Sequence, residues 1–295
     1  MAFRFKRRES VTRAARRICR ERLDCVRRSL DHGDRVEAIH DARKEIKQIR
    51  AVLRLLRGEI GQGAFRRLNE PLRKVSEILT APRDANVKLK TLKRLLHRAE
   101  LKDFCQLKTI AQKNCRQEIR AFARGKSIGQ INSKLKKVGR RIKDLNIRAD
   151  GWEAIEPGLL HSYHCGRMAY ERVLREPSAE NFHKWRKRAK DLWCQFNLLY
   201  TVWPEKINAL TGELEAFGDL LGDEHDLVML KQFIAEAVAR DKKLKDAAAL
   251  NRVIGNCQKD LRSAALKIGA KIFAGLPSSF CAGFKNRWKI WRDHH

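Results

Sequence analysis

The sequence predicts an all-α fold of two similar antiparallel helical bundles, and three observations carry that expectation. Gly and Pro are few, 17 and 6 in 295 residues, and fall between long stretches whose apolar residues recur at steps of three and four. Extended apolar–polar alternation of the strand type is scarce. Two words of the first half return in the second. His40-Asp41-Ala42-Arg43-Lys44-Glu45-Ile46-Lys47 and His183-Lys184-Trp185-Arg186-Lys187-Arg188-Ala189-Lys190 both read HxxRKxxK, 143 residues apart. Leu79-Thr80-Ala81-Pro82-Arg83-Asp84 matches Leu221-Gly222-Asp223-Glu224-His225-Asp226 at an offset of 142.

In chain order, the first predicted helix covers 8–31. The next, 36–57, is the clearest: Ile39, Ala42, Ile46, Ile49, Leu53 and Leu56 form one stripe, Asp34 stands at the N-cap and Gly58 supplies a stop. Apolar periodicity predicts further helices over 62–79, 83–98, 101–124 and 129–145. After a break near Asp150-Gly151 come 153–175, 179–202, 205–221, 224–240 and 243–273. The helix over 179–202 carries the stripe Phe182, Trp185, Ala189, Leu192, Phe196 and Leu199. Residues 1–295 are thus read as one domain with a first half over 1–150 and a second over 151–295. Short connections favour antiparallel packing within each half.

Charge points to the partner. Sixty-five Lys and Arg against 35 Asp and Glu leave a net +30, more than solubility requires, so a polyanion is expected: nucleic acid, an anionic membrane surface or a phosphate polymer. A hydrophobic fraction of 43% argues against disorder. Eight cysteines stand singly with no CxxC pair, which speaks against structural zinc or a disulfide framework and for a reducing compartment. Neither a secretory h-region nor a run of 18 apolar residues is found, so no membrane span and a cytoplasmic location are expected.

At 100° per residue, His40, Arg43, Lys44, Lys47, Arg50 and Arg54 fall on one face beside the apolar stripe, as do His183, Arg186, Lys187 and Lys190 beside theirs. Like charges at i,i+4 repel by a few tenths of a kcal/mol each. A single such face is commonly just solvated, and either histidine would serve equally well as a core hydrogen-bonding group. Recurrence in both halves favours a ligand that neutralises the charge. Arg forks onto two oxygens, Lys is a point charge, and three helical turns (roughly 16 Å) suit a linear anion.

These features resemble the CHAD family, the conserved-histidine α-helical domains. The words that carry the resemblance are Arg17-Ile18 with Glu21, the first HxxRKxxK word with Gln48-Ile49-Arg50, and Pro82-Arg83-Asp84-Ala85. They continue with Tyr163 and Gly166-Arg167, the second HxxRKxxK word, Asp191-Leu192-Trp193 with Gln195, and Leu221 to Leu227. The resemblance implies two bundles related by a pseudo-twofold axis around a shared basic cavity or groove. It further implies binding of inorganic polyphosphate and association with polyphosphate granules. Carried over, the binding set is the two cationic stripes together with Arg17 and Arg167, and Arg83 and His225 are candidates to point into the site. Asp84, Asp223 and Asp226 are expected to stabilise helix N-termini. The chain departs from the family pattern at His164 and Cys165, where Arg is usual, and at Cys194, where Tyr is usual.

No ExExK, GxxxxGK[ST], HExxH or GxSxG word is present, so no enzyme, catalytic residue, cofactor or metal is expected. His294-His295 reads as a tail. Nucleic acid is the stronger rival and a possible competitor, because phosphate contacts dominate there too. Single-strand recognition would want exposed aromatics, whereas Trp185, Trp193 and Phe196 belong on or beside the core stripe. Trp288 and Trp291 of the basic tail are likewise expected to pack on the second bundle. An acidic protein partner is a third reading.

Overall fold

The computed structural model describes residues 3–31, 34–98, 104–241, 244 and 247–293. Among them are eleven α-helices, one 3₁₀ turn (Trp152–Ala154) and no strand. The helices are α1 (Val11–Asp31), α2 (Arg35–Leu55), α3 (Arg57–Ile78), α4 (Thr80–Arg98), α5 (Cys105–Arg124) and α6 (Ser127–Lys143). They continue with α7 (Glu156–Arg175), α8 (Ala179–Leu198), α9 (Pro204–Arg240), α10 (Ala247–Phe273) and α11 (Pro277–Asp293).

Local chemistry sets several of the starts. Asp34 accepts from the Val36 N–H at 2.7 Å, as an N-cap must, and Ser178 accepts from the Asn181 N–H at 3.3 Å to cap α8. Pro157 and Pro204 open α7 and α9, where a missing N–H costs nothing. The α2 stripe is buried throughout, from Ile39 at 1% exposure to Leu53 and Leu56 at 0%. Each such aliphatic side chain contributes about 1.5–3 kcal/mol.

Beyond shifts of a few residues at helix ends, four features differ from the sequence expectation. Helix α2 ends at Leu55 with Leu56 as its cap, so Gly58 does not stop it but lies in the first turn of α3. The break falls instead at Gly61, whose φ of 73° kinks α3. The segments 205–221 and 224–240 form the single 37-residue helix α9, because packing on both sides of Gly222-Asp223 overrides their turn character. The tail is helix α11, which buries Cys281, Phe284, Trp288 and Trp291 at steps of three and four. The expected helix starts at 101 and 243, and the tail residues His294-His295, lie outside the described residues.

Packing places the two HxxRKxxK helices side by side. Helix α2 lies against α1, α3, α7 and α8, and α8 lies against α2, α7 and α9. The larger hydrophobic cluster joins α1–α3, Phe122 of α5, α6–α8, the N-terminal part of α9, the C-terminal part of α10 and α11. A second gathers Leu92 and Leu95 of α4, Leu107 of α5, Leu227 to Ala237 of α9, and Leu250 and Ile254 of α10. No helix of the described residues is long and apolar enough to cross a membrane.

A cationic cavity between the HxxRKxxK helices

Facing α2 and α8, with help from α3, α4 and α9, enclose a cavity of about 570 Å³. Its lining holds eleven Lys and Arg against two Asp, with two His and no Phe, Tyr or Trp. Ten residues expected from the sequence meet there: Arg43, Lys47, Arg50, Arg54, Arg83, His183, Arg186, Lys187, Lys190 and His225.

The α2 wall is fixed by polar neighbours. Arg43 donates to the Ser76 carbonyl oxygen at 2.8 Å and to Thr80 Oγ1 at 3.0 Å, and Arg50 donates to Asn69 Oδ1 at 2.9 Å. Arg54 crosses to α8, donating to Asp191 at 2.8 Å. Each guanidinium keeps further N–H groups, so these bonds orient the forks without using them up. Lys47 is open to water through the cavity yet crowded by protein on its other sides, which lowers its amine to about 8. Burial is the main cause, and Arg186, Arg43 and Arg83 add to it. Burial, with Arg54 next, lowers Arg50 to about 10.

The α8 wall uses the backbone of α9. Arg186 donates to the Gly218 carbonyl oxygen at 3.3 Å, and Lys190 lies 3.8 Å from Asp219. A Cβ on Gly218 would sit 2.5 Å from Lys190 Cε, so this glycine makes room for the lysine beside the helix. His183 and His225 stack with ring centroids 3.9 Å apart, and His183 Nδ1 is buried without a hydrogen-bond partner. Burial, then His225, Lys187 and Arg186, push His183 down to about 3. Burial, then Arg186 and Arg83, push His225 down to about 4. Both rings are therefore neutral at pH 7 without a ligand.

Carboxylates hold the α4 corner. Arg83 pairs with Asp84 at 3.0 Å and with Asp226 at 3.5 Å, and burial raises Asp226 above the usual carboxylate range. Asp191 is raised in the same way, its burial outweighing the attraction of Arg54. The expectation that Asp223 and Asp226 sit at a helix N-terminus is corrected: both lie in the middle of the continuous α9, and Asp223 pairs with Arg94 at 2.9 Å. Asp84 lies a turn inside α4 and turns to Arg83 rather than to a free N–H.

Four expected residues do not line the cavity. His40 and Lys44 are exposed on α2, and the partial burial of the His40 imidazole lowers it, with Asp41 opposing and Lys47, Lys44 and Arg83 adding to the effect. Arg17 is held by Glu9 at 2.7 Å and Glu21 at 3.5 Å, and Arg167 by Glu171 at 3.1 Å and the Gly275 carbonyl oxygen at 3.1 Å. Conversely, Arg73, Lys184, Arg188 and Asp191 line it beyond the residues expected from the sequence. Asp191 and Arg188 lie in or beside the second word, but Arg73 comes from α3 by tertiary packing alone.

Comparison with known proteins agrees with this architecture. The crystal structure of the CHAD domain from the plant Ricinus communis superposes with a TM-score of 0.70 at 18% identity, over 94% of this chain and 96% of that one. That likeness is one of fold. No curated protein matches the sequence. The CHAD domain family matches residues 12–235, well over half of the 295. The chain belongs to the CHAD family.

Proposed function

We propose that the cavity binds inorganic polyphosphate and that the protein acts by binding rather than by turnover, in the cytoplasm and at polyphosphate granules. The observation that carries this reading is the lining itself: eleven cations and two aspartates around one cavity, with no Phe, Tyr or Trp for a base to stack on. Packing so many like charges is unfavourable in the free protein, and a linear phosphate chain relieves it along the length of both helices. The similarity of the two HxxRKxxK words, one on each wall, suits a ligand built of identical units, and we read the chain as two related halves in one domain.

Competition at near-physiological salt tests it. Long-chain polyphosphate should displace a labelled polyphosphate probe at least about tenfold better than single-stranded RNA or duplex DNA at equal phosphate concentration. Equal displacement by nucleic acid would make the cavity a generic phosphate-backbone site.

A further inference from the structure

The cavity leaves most of the charge unexplained. Its lining carries a surplus of nine among a net +30. The α5–α6 segment, residues 105–143, carries twelve Lys and Arg against the single Glu118, a surplus of eleven, and none of them lines the cavity. All but Lys134 are exposed. Outside the cavity and this segment, some surface cations find carboxylates: Arg27 with Asp24, Arg94 with Asp223, Arg172 with Glu176. Among the described residues no cation of α5 or α6 forms an ion pair.

The arrangement is ordered. Helix α6 buries Ile131, Leu135, Val138 and Ile142, which turns Lys136, Lys137 and Arg140 to solvent. On α5, Lys113, Arg116, Arg120 and Arg124 recur at steps of three and four, a stripe about three turns or 16 Å long. We propose that the outer faces of α5 and α6 form a second anion surface, separate from the cavity, that binds the phosphate backbone of double-stranded nucleic acid without reading its sequence.

Shape and composition choose the partner. A convex helix face touches its ligand from one side only, which suits a thick rod better than a thin chain. Duplex DNA carries one charge per about 1.7 Å of axis over its two strands, so a 16 Å length holds roughly nine phosphates, and the stripe meets those on its own side. The exposed residues between the cations are short or polar, among them Gln117, Gln130, Asn132 and Ser133, which can hydrogen-bond to phosphate and sugar. The large exposed apolar side chains, Met168, Leu174, Leu276 and Ile290, all lie elsewhere. The surface therefore offers neither a stacking platform for single-stranded bases nor an apolar anchor for a bilayer.

The test combines Arg116→Glu, Arg120→Glu, Lys136→Glu and Arg140→Glu in the full chain, with Arg43→Glu, Lys47→Glu and Arg50→Glu as the cavity control. Anisotropy with a mixed-sequence duplex, labelled polyphosphate and phosphatidylserine vesicles gives the readout. The α5–α6 variant should lose duplex affinity at least about tenfold. The slope of log K against log[salt] should flatten by roughly 0.9 for each phosphate that is no longer neutralised. Its polyphosphate affinity should stay within about twofold of wild type. A Gln series at the same four positions should show a smaller loss in the same direction, which covers the case in which charge reversal disturbs folding. Unchanged duplex affinity in both series overturns the proposal, and so does duplex binding abolished only in the cavity variant. Vesicle binding stronger than duplex binding and abolished by the α5–α6 changes also overturns it, in favour of a membrane surface. Failure of polyphosphate binding in the wild type would instead strike the cavity reading alone.

Discussion

The two walls of the cavity are written with the same HxxRKxxK word and end in different chemistry. On α2, Arg43 and Arg50 are steered by Ser76, Thr80 and Asn69, and His40 stays outside. On α8, the corresponding His183 is inside the cavity and stacked on His225, and Arg186 and Lys190 lean on the glycine-bearing turn of α9. The neighbours account for the difference. Arg83 of α4 matches His225 of α9 in the sequence, but Arg83 acts on both walls, adding to burial in lowering Arg43 on α2 and Arg186 and His183 on α8, whereas His225 stacks on α8. A sequence word sets which side chains a helix offers, while the helices packed against it set their partners and how deeply each is buried.

The largest expected effect would break the comparison directly. Charge reversal at Arg43, Lys47 and Arg50 should lower polyphosphate affinity at least about a hundredfold, or about 2.8 kcal/mol, with helical circular dichroism unchanged. The same change at Arg186, Lys187 and Lys190 should cost less, because the α8 wall carries a neutral histidine and an Asp219 neighbour. Equal losses in isothermal titration would make the walls interchangeable.

A smaller effect belongs to Lys47. Its amine, lowered to about 8, is largely charged at pH 7 and loses its proton as pH rises through that value. Phosphate favours the cation, so wild-type affinity should fall between pH 7 and 9 by up to about tenfold. Lys47→Met should bind more weakly at pH 7 and show a flatter profile over that range.

The smallest effect belongs to the imidazole pair. His183 and His225 titrate near 3 and 4 when folded, against an ordinary value of about 6.5. Below 6.5 the unfolded chain therefore binds more protons, and stability falls as pH drops from about 6.5 toward 4. Urea midpoints across that window should be less acid-sensitive in His183→Asn with His225→Asn. Bound polyphosphate, which favours imidazolium, should also offset the loss in wild type.

Much of this is legible in the sequence, and the exceptions have physical reasons. The α2 stripe and its Asp34 cap are local, and periodicity alone places Ile39 to Leu56 inside and the cations beside them. Helix α11 departs from the expected basic tail, because the cations between Cys281, Phe284, Trp288 and Trp291 mask the helical spacing of those four residues. Gly222-Asp223 misleads because its propensity is that of a turn, and only buried neighbours such as Leu221 and Leu227 carry the helix through. Arg73 has no sequence signal, since α3 brings it to the cavity by packing. Arg17 and Arg167 match the family words, but carboxylates hold them elsewhere: Glu9, with Glu21 next, for Arg17 and Glu171 for Arg167.

Helix α9 ties the two cores together. Its first turns are anchored in the larger core through Ile207, Leu214 and Phe217, its last through Leu230, Phe233 and Ile234 in the second, and His225 lies at the cavity between them. A continuous rod held at both ends and touched in the middle is a beam with its load at midspan. Whatever occupies the cavity presses on a member shared by two cores, so it braces the second core at a distance, and loosening either core slackens the wall the ligand leans on.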